Sequence, residues 1–168
     1  MVSNVVFEDY SVQCKNAIRE KAISFLEEVG GELRSRTQRN SRRATGQTAD
    51  SYEYKVDEGQ LAVHVGSNYE NAIWEEFGTG KYASETGHVG RQGWWVYVTG
   101  SSSSSSSKKG KNYSSPAQAK RAVAILKEQG LDAHMTKGKT ANRPLLKAYQ
   151  SFKSGIIARA EQIFGGLN

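Results

Sequence analysis

The chain has 168 residues, 37% hydrophobic and 10% aromatic, enough for one ordinary domain around a single apolar core, and it carries a net charge of +6. No apolar run approaches the roughly 20 residues of a membrane helix, and the first residues lack the basic-then-apolar order of a secretory signal. The one cysteine, Cys14, excludes an internal disulfide and fits a reducing compartment, the cytoplasm.

The first element is an amphipathic helix. Ile18, Ala22, Phe25, Leu26, Val29 and Leu33 fall at i, i+4, i+7, i+8, i+11 and i+15, a single apolar stripe on which Cys14 reads as a small packing residue. Gly30-Gly31 is expected to end or weaken it, because glycine costs about 1 kcal/mol in a helix interior. The stretch 34–49 is polar, free of acids and without periodicity, so it reads as a basic mobile loop bearing Arg34, Arg36, Arg39, Arg42 and Arg43. A hairpin follows: Tyr52, Tyr54 and Val56 alternate with polar residues, Glu58-Gly59 supplies the turn, and Leu61, Val63 and Val65 alternate again.

The segment NYENAIWEEF sets Tyr69, Ile73 and Phe77 on one helical face, and WWVYV (94–98) has the aromatic and β-branched composition of a strand. The serine run 101–107 leads into KKGKNYSS, so 100–115 reads as a flexible Ser/Lys-rich insertion bearing Lys108, Lys109 and Lys111. Ser115 and Gln118 form a capping box, Pro116 takes the first helical position, Ala119, Val123 and Leu126 mark the apolar side, and Gly130 closes the helix. LDAHMTKG then returns as a strand to pair with WWVYV across the inserted helix. Leu145, Tyr149, Phe152, Ile156 and Ile163 trace a last long amphipathic helix that stops at Gly165-Gly166. The expectation is an α+β fold in one domain, 1–168. A small antiparallel sheet is packed by long N-terminal and C-terminal helices, with a helix inserted between two strands.

WEEFGTGK (74–81) raises the question of a phosphate loop. A P-loop ending at Gly80-Lys81 needs glycine at 75 and a hydroxyl at 82, where this chain has Glu75 and Tyr82. A dinucleotide turn needs its glycines ahead of a helix, whereas Gly78 and Gly80 follow one and meet its negative end. Gly78 therefore reads as a left-handed helix cap, with Lys81 near the carbonyl end. Glu75 and Glu76 point about 100° apart on a helix and do not converge on one substrate atom. His64, His88 and His134 have no metal-ligand spacing, and no serine sits in a nucleophile elbow. The expectation is a chain that is not an enzyme, with no catalytic, cofactor-binding or metal residues. Nucleic-acid binding remains as an alternative, with the arginines on phosphates and Trp94, Trp95 and Tyr97 as stacking surfaces or as core.

Four segments in order, TGQTADS (45–51), HVGSNYENAIWEEFGTGK (64–81), RQGWWVY (91–97) and TKGKTANRPLLKAY (136–149), resemble the tail-completion proteins of long-tailed bacteriophages, also called head–tail joining or minor capsid proteins. That family shows T-G-x-L-x-x-S before the first strand, V-G followed by Y-A-x-x-x-E-F-G-T, and P-F-L-x-P-A opening the last helix. Glu76, Phe77, Gly78 and Thr79 match E-F-G-T, flanked by Trp74 and Gly80, and Pro144 and Leu145 match the last-helix start. Thr48 stands where the family has leucine, Asn71 intervenes before Ala72, and 143–146 is a looser proline motif.

The resemblance implies a structural subunit of the virion neck, assembled in the host cytoplasm as a sixfold homo-oligomeric ring between the tail terminator or tail tube and the head connector. It implies no cofactor and no membrane contact, with DNA passing through the lumen. The arginine stretch and the 100–115 insertion would then be the adaptable contacts, with Trp74 and 76–80 as the structural turn.

Overall fold

The apolar stripe that opens the chain becomes α1 (Ser11–Asn40), a helix of 30 residues. The computed structural model describes residues 8–43, 45–83, 93–99 and 112–165. Gly30-Gly31 does not end α1, and the loop expected over 34–49 is helical as far as Asn40, so Arg34, Arg36 and Arg39 are helix residues. Arginine and glutamine are good helix formers, and the Glu32–Arg36 pair at i, i+4 closes to 2.6 Å. The Thr37 hydroxyl donates to the Leu33 carbonyl at 2.7 Å, which lets it sit buried on the same turn. A polar sequence without an apolar stripe can still be helix when its own side chains pair along it.

The remaining elements are α2 (Gln47–Asp50), β1 (Tyr52–Asp57), β2 (Ala62–Ser67), α3 (Glu70–Phe77), a 3-10 turn (Gly80–Tyr82), β3 (Trp95–Val98), α4 (Pro116–Glu128), β4 (Ala133–Thr136) and α5 (Pro144–Phe164). The class is α+β, with long helices at both ends of the chain. Among the described residues the strands form two separate two-stranded antiparallel sheets rather than one, one in each of two compact units.

The first unit comprises the described residues of Met1–Asn40, Ala49–Asn68 and Leu145–Asn168. β1 and β2 pair in the register Tyr54↔Val65 and Val56↔Val63, so the alternation read from the sequence sets these side chains on one face. The Asp57 carboxylate accepts from the amides of Gly59 and Gln60 and fixes the turn. α1 crosses this hairpin at Gly30, where a Cβ would lie 2.8 Å from Val63 Cγ2 and closer still to the Tyr54 ring. Glycine there is a packing choice that lets helix and hairpin touch. α5 runs antiparallel along α1: Phe25 meets Phe164 edge to face, Glu28 pairs with Arg159 at 3.1 Å, and the Arg36 guanidinium lies 4.7 Å from the Phe152 ring.

The second unit comprises the described residues of Ser41–Thr48 and Tyr69–Pro144. β3 and β4 pair from Trp95↔Thr136 to Val98↔Ala133, with α4 inserted between them in the chain and packed on both, as expected. α4 starts as read: Ser115 Oγ accepts from the Gln118 amide and Pro116 follows it. Only half of the capping box forms, because the Gln118 side chain accepts from Ser114 Oγ instead of reaching back to Ser115. Gly130 closes the helix at φ +77°. Of the expected 100–115 insertion, Tyr113 is paired with Trp94 in a β-bridge and Ser115 caps α4, while 100–111 lie outside the described residues. In α3 the buried residues are Ala72, Glu75 and Glu76, while Ile73, on the face with Tyr69 and Phe77, is exposed.

Candidate functional site

The turn after α3 carries the chemistry that the sequence left open. Gly78 has φ +78° and ψ −176°, so it is positive-φ as expected but extended rather than left-handed helical. This geometry is essentially reserved for glycine, and it sends the chain straight into an antiparallel contact with the segment after β4. The Thr79 amide donates to the Lys139 carbonyl at 2.8 Å, the Lys139 amide returns to Thr79 Oγ1 at 2.9 Å, and the Lys81 amide donates to the Lys137 carbonyl at 3.0 Å. The Gly78, Thr79 and Lys81 amides thus all donate to carbonyls of the same unit, which argues by geometry against a phosphate loop.

Glu75 ties the same segment to two others. Its Oε1 accepts from the Arg42 amide and from Asn142 Nδ2 at 3.0 Å, and its carbonyl accepts from the amides of Asn142 at 2.8 Å and Arg143 at 3.3 Å. The side chain is 4% exposed, so a carboxylate in a largely water-free position is held by fixed donors. Sequence reasoning named Glu76 for the turn and missed Glu75 as the hub. The available signal was spacing: Ala72, Glu75 and Glu76 lie at i, i+3 and i+4, a buried face hidden by two polar residues.

Between these straps the second unit opens a cleft of about 610 Å³. Trp74, Trp95 and Tyr97 supply its aromatic surface, Arg42 and Lys139 its cations, and 45–48 also line it. All four segments that carry the resemblance contribute residues to this wall. Just outside it, the Lys137 ammonium stands 4.8 Å from the Trp94 ring, and Tyr97 stacks on His134 with centroids 5.5 Å apart. Asp132 beside them is held below the usual carboxylate range by the Thr99 hydroxyl first and by His134 second.

The arginines do not form one free basic loop. In the first unit, Arg34 Nε donates to the Tyr52 carbonyl at 2.9 Å, Arg36 is paired with Glu32, and Arg39 bonds Ser35 Oγ at 2.7 Å. In the second unit the Arg42 guanidinium reaches the Thr140 carbonyl at 3.2 Å, while Arg43 is exposed. Lys108, Lys109 and Lys111 lie outside the described residues. Among the described residues no group of three His, Cys, Asp or Glu could hold a metal ion, and no helix is long and apolar enough to cross a membrane. Compared with known proteins, the chain matches no family model, no curated protein and no solved structure.

Proposed function

We propose that this chain is a structural subunit of a tailed-phage neck, a tail-completion protein that joins the tail to the head connector as part of a ring. The observation that carries the reading is the set of large apolar side chains left exposed on several helices. Among the described residues the fully buried hydrophobics are Val29, Tyr52 and alanines, while large side chains on α1, α4 and α5, among them Ile18, Ile125, Tyr149 and Ile157, stand exposed. Exposed apolar side chains on several helices are the kind of surface that contacts with other subunits would cover. A closed ring needs two different complementary faces on each subunit, and separate apolar surfaces on different helices supply them.

Quantitative mass spectrometry of purified tailed particles from the source strain tests the reading. A small ring-like copy number relative to the portal protein is the expected result, and absence from particles overturns it.

Nucleic-acid binding is favoured by one feature, the aromatic and cationic cleft. Arg34, Arg36, Arg39 and Arg42 already hold carbonyl, hydroxyl or carboxylate partners, so only part of each guanidinium's donor set is left for phosphates. A binding constant that falls steeply with salt, with a slope of roughly one per phosphate neutralised, identifies that reading.

A further inference from the structure

Among the described residues, α1 extends beyond the contacts that its Phe25 and Arg19 make with α5 and the hairpin. Toward its start α1 keeps the Phe25–Phe164 ring contact with α5 and, nearer still, Arg19, whose guanidinium donates to the Glu58 carbonyl at 2.6 Å. From Ser11 to Ile18 every residue is exposed, and the stripe that packs the first unit from Ala22 onward continues outward through Cys14 and Ile18. Val12 is 64% exposed, Tyr10 58% and Ile18 41%. These eight residues form an arm of about 12 Å, two helical turns, held rigid by the helix behind it. Its start is ordered: the Asp9 carboxylate accepts from the Ser11 amide at 2.9 Å, and the Tyr10 hydroxyl donates to Glu8.

The arm and the cleft differ in charge and match in character. Glu8-Asp9, just ahead of α1, is acidic, and the next cation along the chain is Lys15. The cleft presents Arg42 and Lys139 beside Trp74, Trp95 and Tyr97, and its one carboxylate, Glu75, is already held by the Arg42 amide and Asn142. A volume of about 610 Å³ suits a few side chains, such as those of the arm's tip, rather than a whole helix.

We propose that the tip of α1 in one copy docks in the second unit's cleft of the next copy, Glu8 and Asp9 against Arg42 and Lys139, Tyr10 and Val12 against the aromatic wall. Each subunit then offers an arm and a cleft, two unlike surfaces, which is the head-to-tail contact from which rings close. The inference rests on the assembly reading above and names its contact. A preformed arm loses little conformational freedom on docking, which favours the contact over one made by an unstructured tail.

Cys14, on the arm, provides the test by disulfide trapping in the full chain. In Gln47→Cys, with the new thiol in the cleft's lining, mild oxidation should build a ladder of covalent multimers. It should form at least about tenfold faster than from Gln60→Cys, where the partner thiol sits on the exposed β1–β2 turn, because docking raises the effective concentration of the two thiols. Adding Glu8→Lys and Asp9→Lys should bring the rate down to that of the control. Equal rates in the two cysteine variants, a product linked only within one chain, or insensitivity to the charge reversal each overturn the proposal. Particle copy number reads the neck assignment separately: a chain present in particles but without the ladder retains the function and loses this contact.

Discussion

The two units solve the same problem, a helical segment brought against other structure, by different physical means. In the first unit α1 approaches the hairpin through side chains, with Gly30 clearing room for Tyr54 and Val63, and Phe25, Glu28 and Arg36 taking partners on α5. In the second unit the approach is main chain to main chain: Gly78, Gly80 and Gly138 clear room for the carbonyls of Lys139, Lys137 and Thr79. Side-chain packing can relax around an intruding atom by shifting a rotamer, whereas a backbone ladder must move as a whole or break its hydrogen bonds. The second unit should therefore be the more brittle of the two, and substitutions can break or sharpen that contrast.

The largest expected effect is Gly78→Val. A Cβ at Gly78 would lie 2.7 Å from the Lys139 carbonyl oxygen and 2.8 Å from both the Ala141 amide nitrogen and the Tyr82 carbonyl oxygen, at a φ that valine avoids. Backbone strain and overpacking together cost about 3 kcal/mol or more, a melting point lower by roughly 10 °C in a chain of this size. An unchanged melting temperature by calorimetry would refute the account of this turn.

Next is Glu75→Ala, which strands the Arg42 amide and the Asn142 side chain; denaturant unfolding should show a loss of about 3 kcal/mol, against about 1 for Glu75→Gln, which keeps an acceptor. Equal losses for the two would mean that the acceptor itself contributes nothing.

The two adjacent glycines of α1 should respond with opposite signs. Gly30→Ala forces a methyl against Tyr54 and Val63 and should cost about 2 kcal/mol, less than Gly78→Val because side chains can give way. Gly31→Ala meets only the Tyr54 ring edge at 4.0 Å and should gain up to about 1 kcal/mol from helix propensity. A loss at both positions would mean that the helix crossing is tighter than the geometry shows.

The smallest effect is electrostatic. Asp132 titrates below its ordinary range because Thr99 and His134 bond its carboxylate, so its contribution is present above the ordinary value and lost as pH falls through the lower folded one. Asp132→Asn should flatten that part of the acid limb of a melting-temperature profile and leave neutral pH nearly unchanged. A difference confined to neutral pH would contradict the sign.

Much of the element list was legible because local rules decide it. The alternation over Tyr52–Asp57, the Ser115–Pro116 start and Gly130 stop of α4, and the apolar spacing of α5 each determine their own backbone irrespective of what packs on them. The readings that failed depended on a distant partner or on polar side chains where an apolar stripe would be looked for. Gly30-Gly31 looks like a helix stop until Tyr54, 24 residues later, claims the space beside it. The stretch from Leu33 to Asn40 looks like a loop because its helix is held by Glu32–Arg36, Ser35–Arg39 and the Tyr52 carbonyl, not by an apolar stripe. The buried face of α3 was hidden because a glutamate, not a leucine, occupies its centre.

By itself, then, the sequence determined the α+β class, the two hairpins with a helix inserted in the second, and the conformational need for glycine at Gly78, since these follow from periodicity, caps and main-chain sterics within a few residues. Only the tertiary structure decided that the described strands form two separate sheets, that Glu75 is the hub of the turn, and that a cationic, aromatic cleft stands in the second unit while α1 extends beyond its Phe25 and Arg19 contacts in the first. Those features are made by residues 30 to 100 positions apart, such as Arg42 with Glu75 and Thr140, whose meeting depends on loop closure and packing that no local pattern encodes.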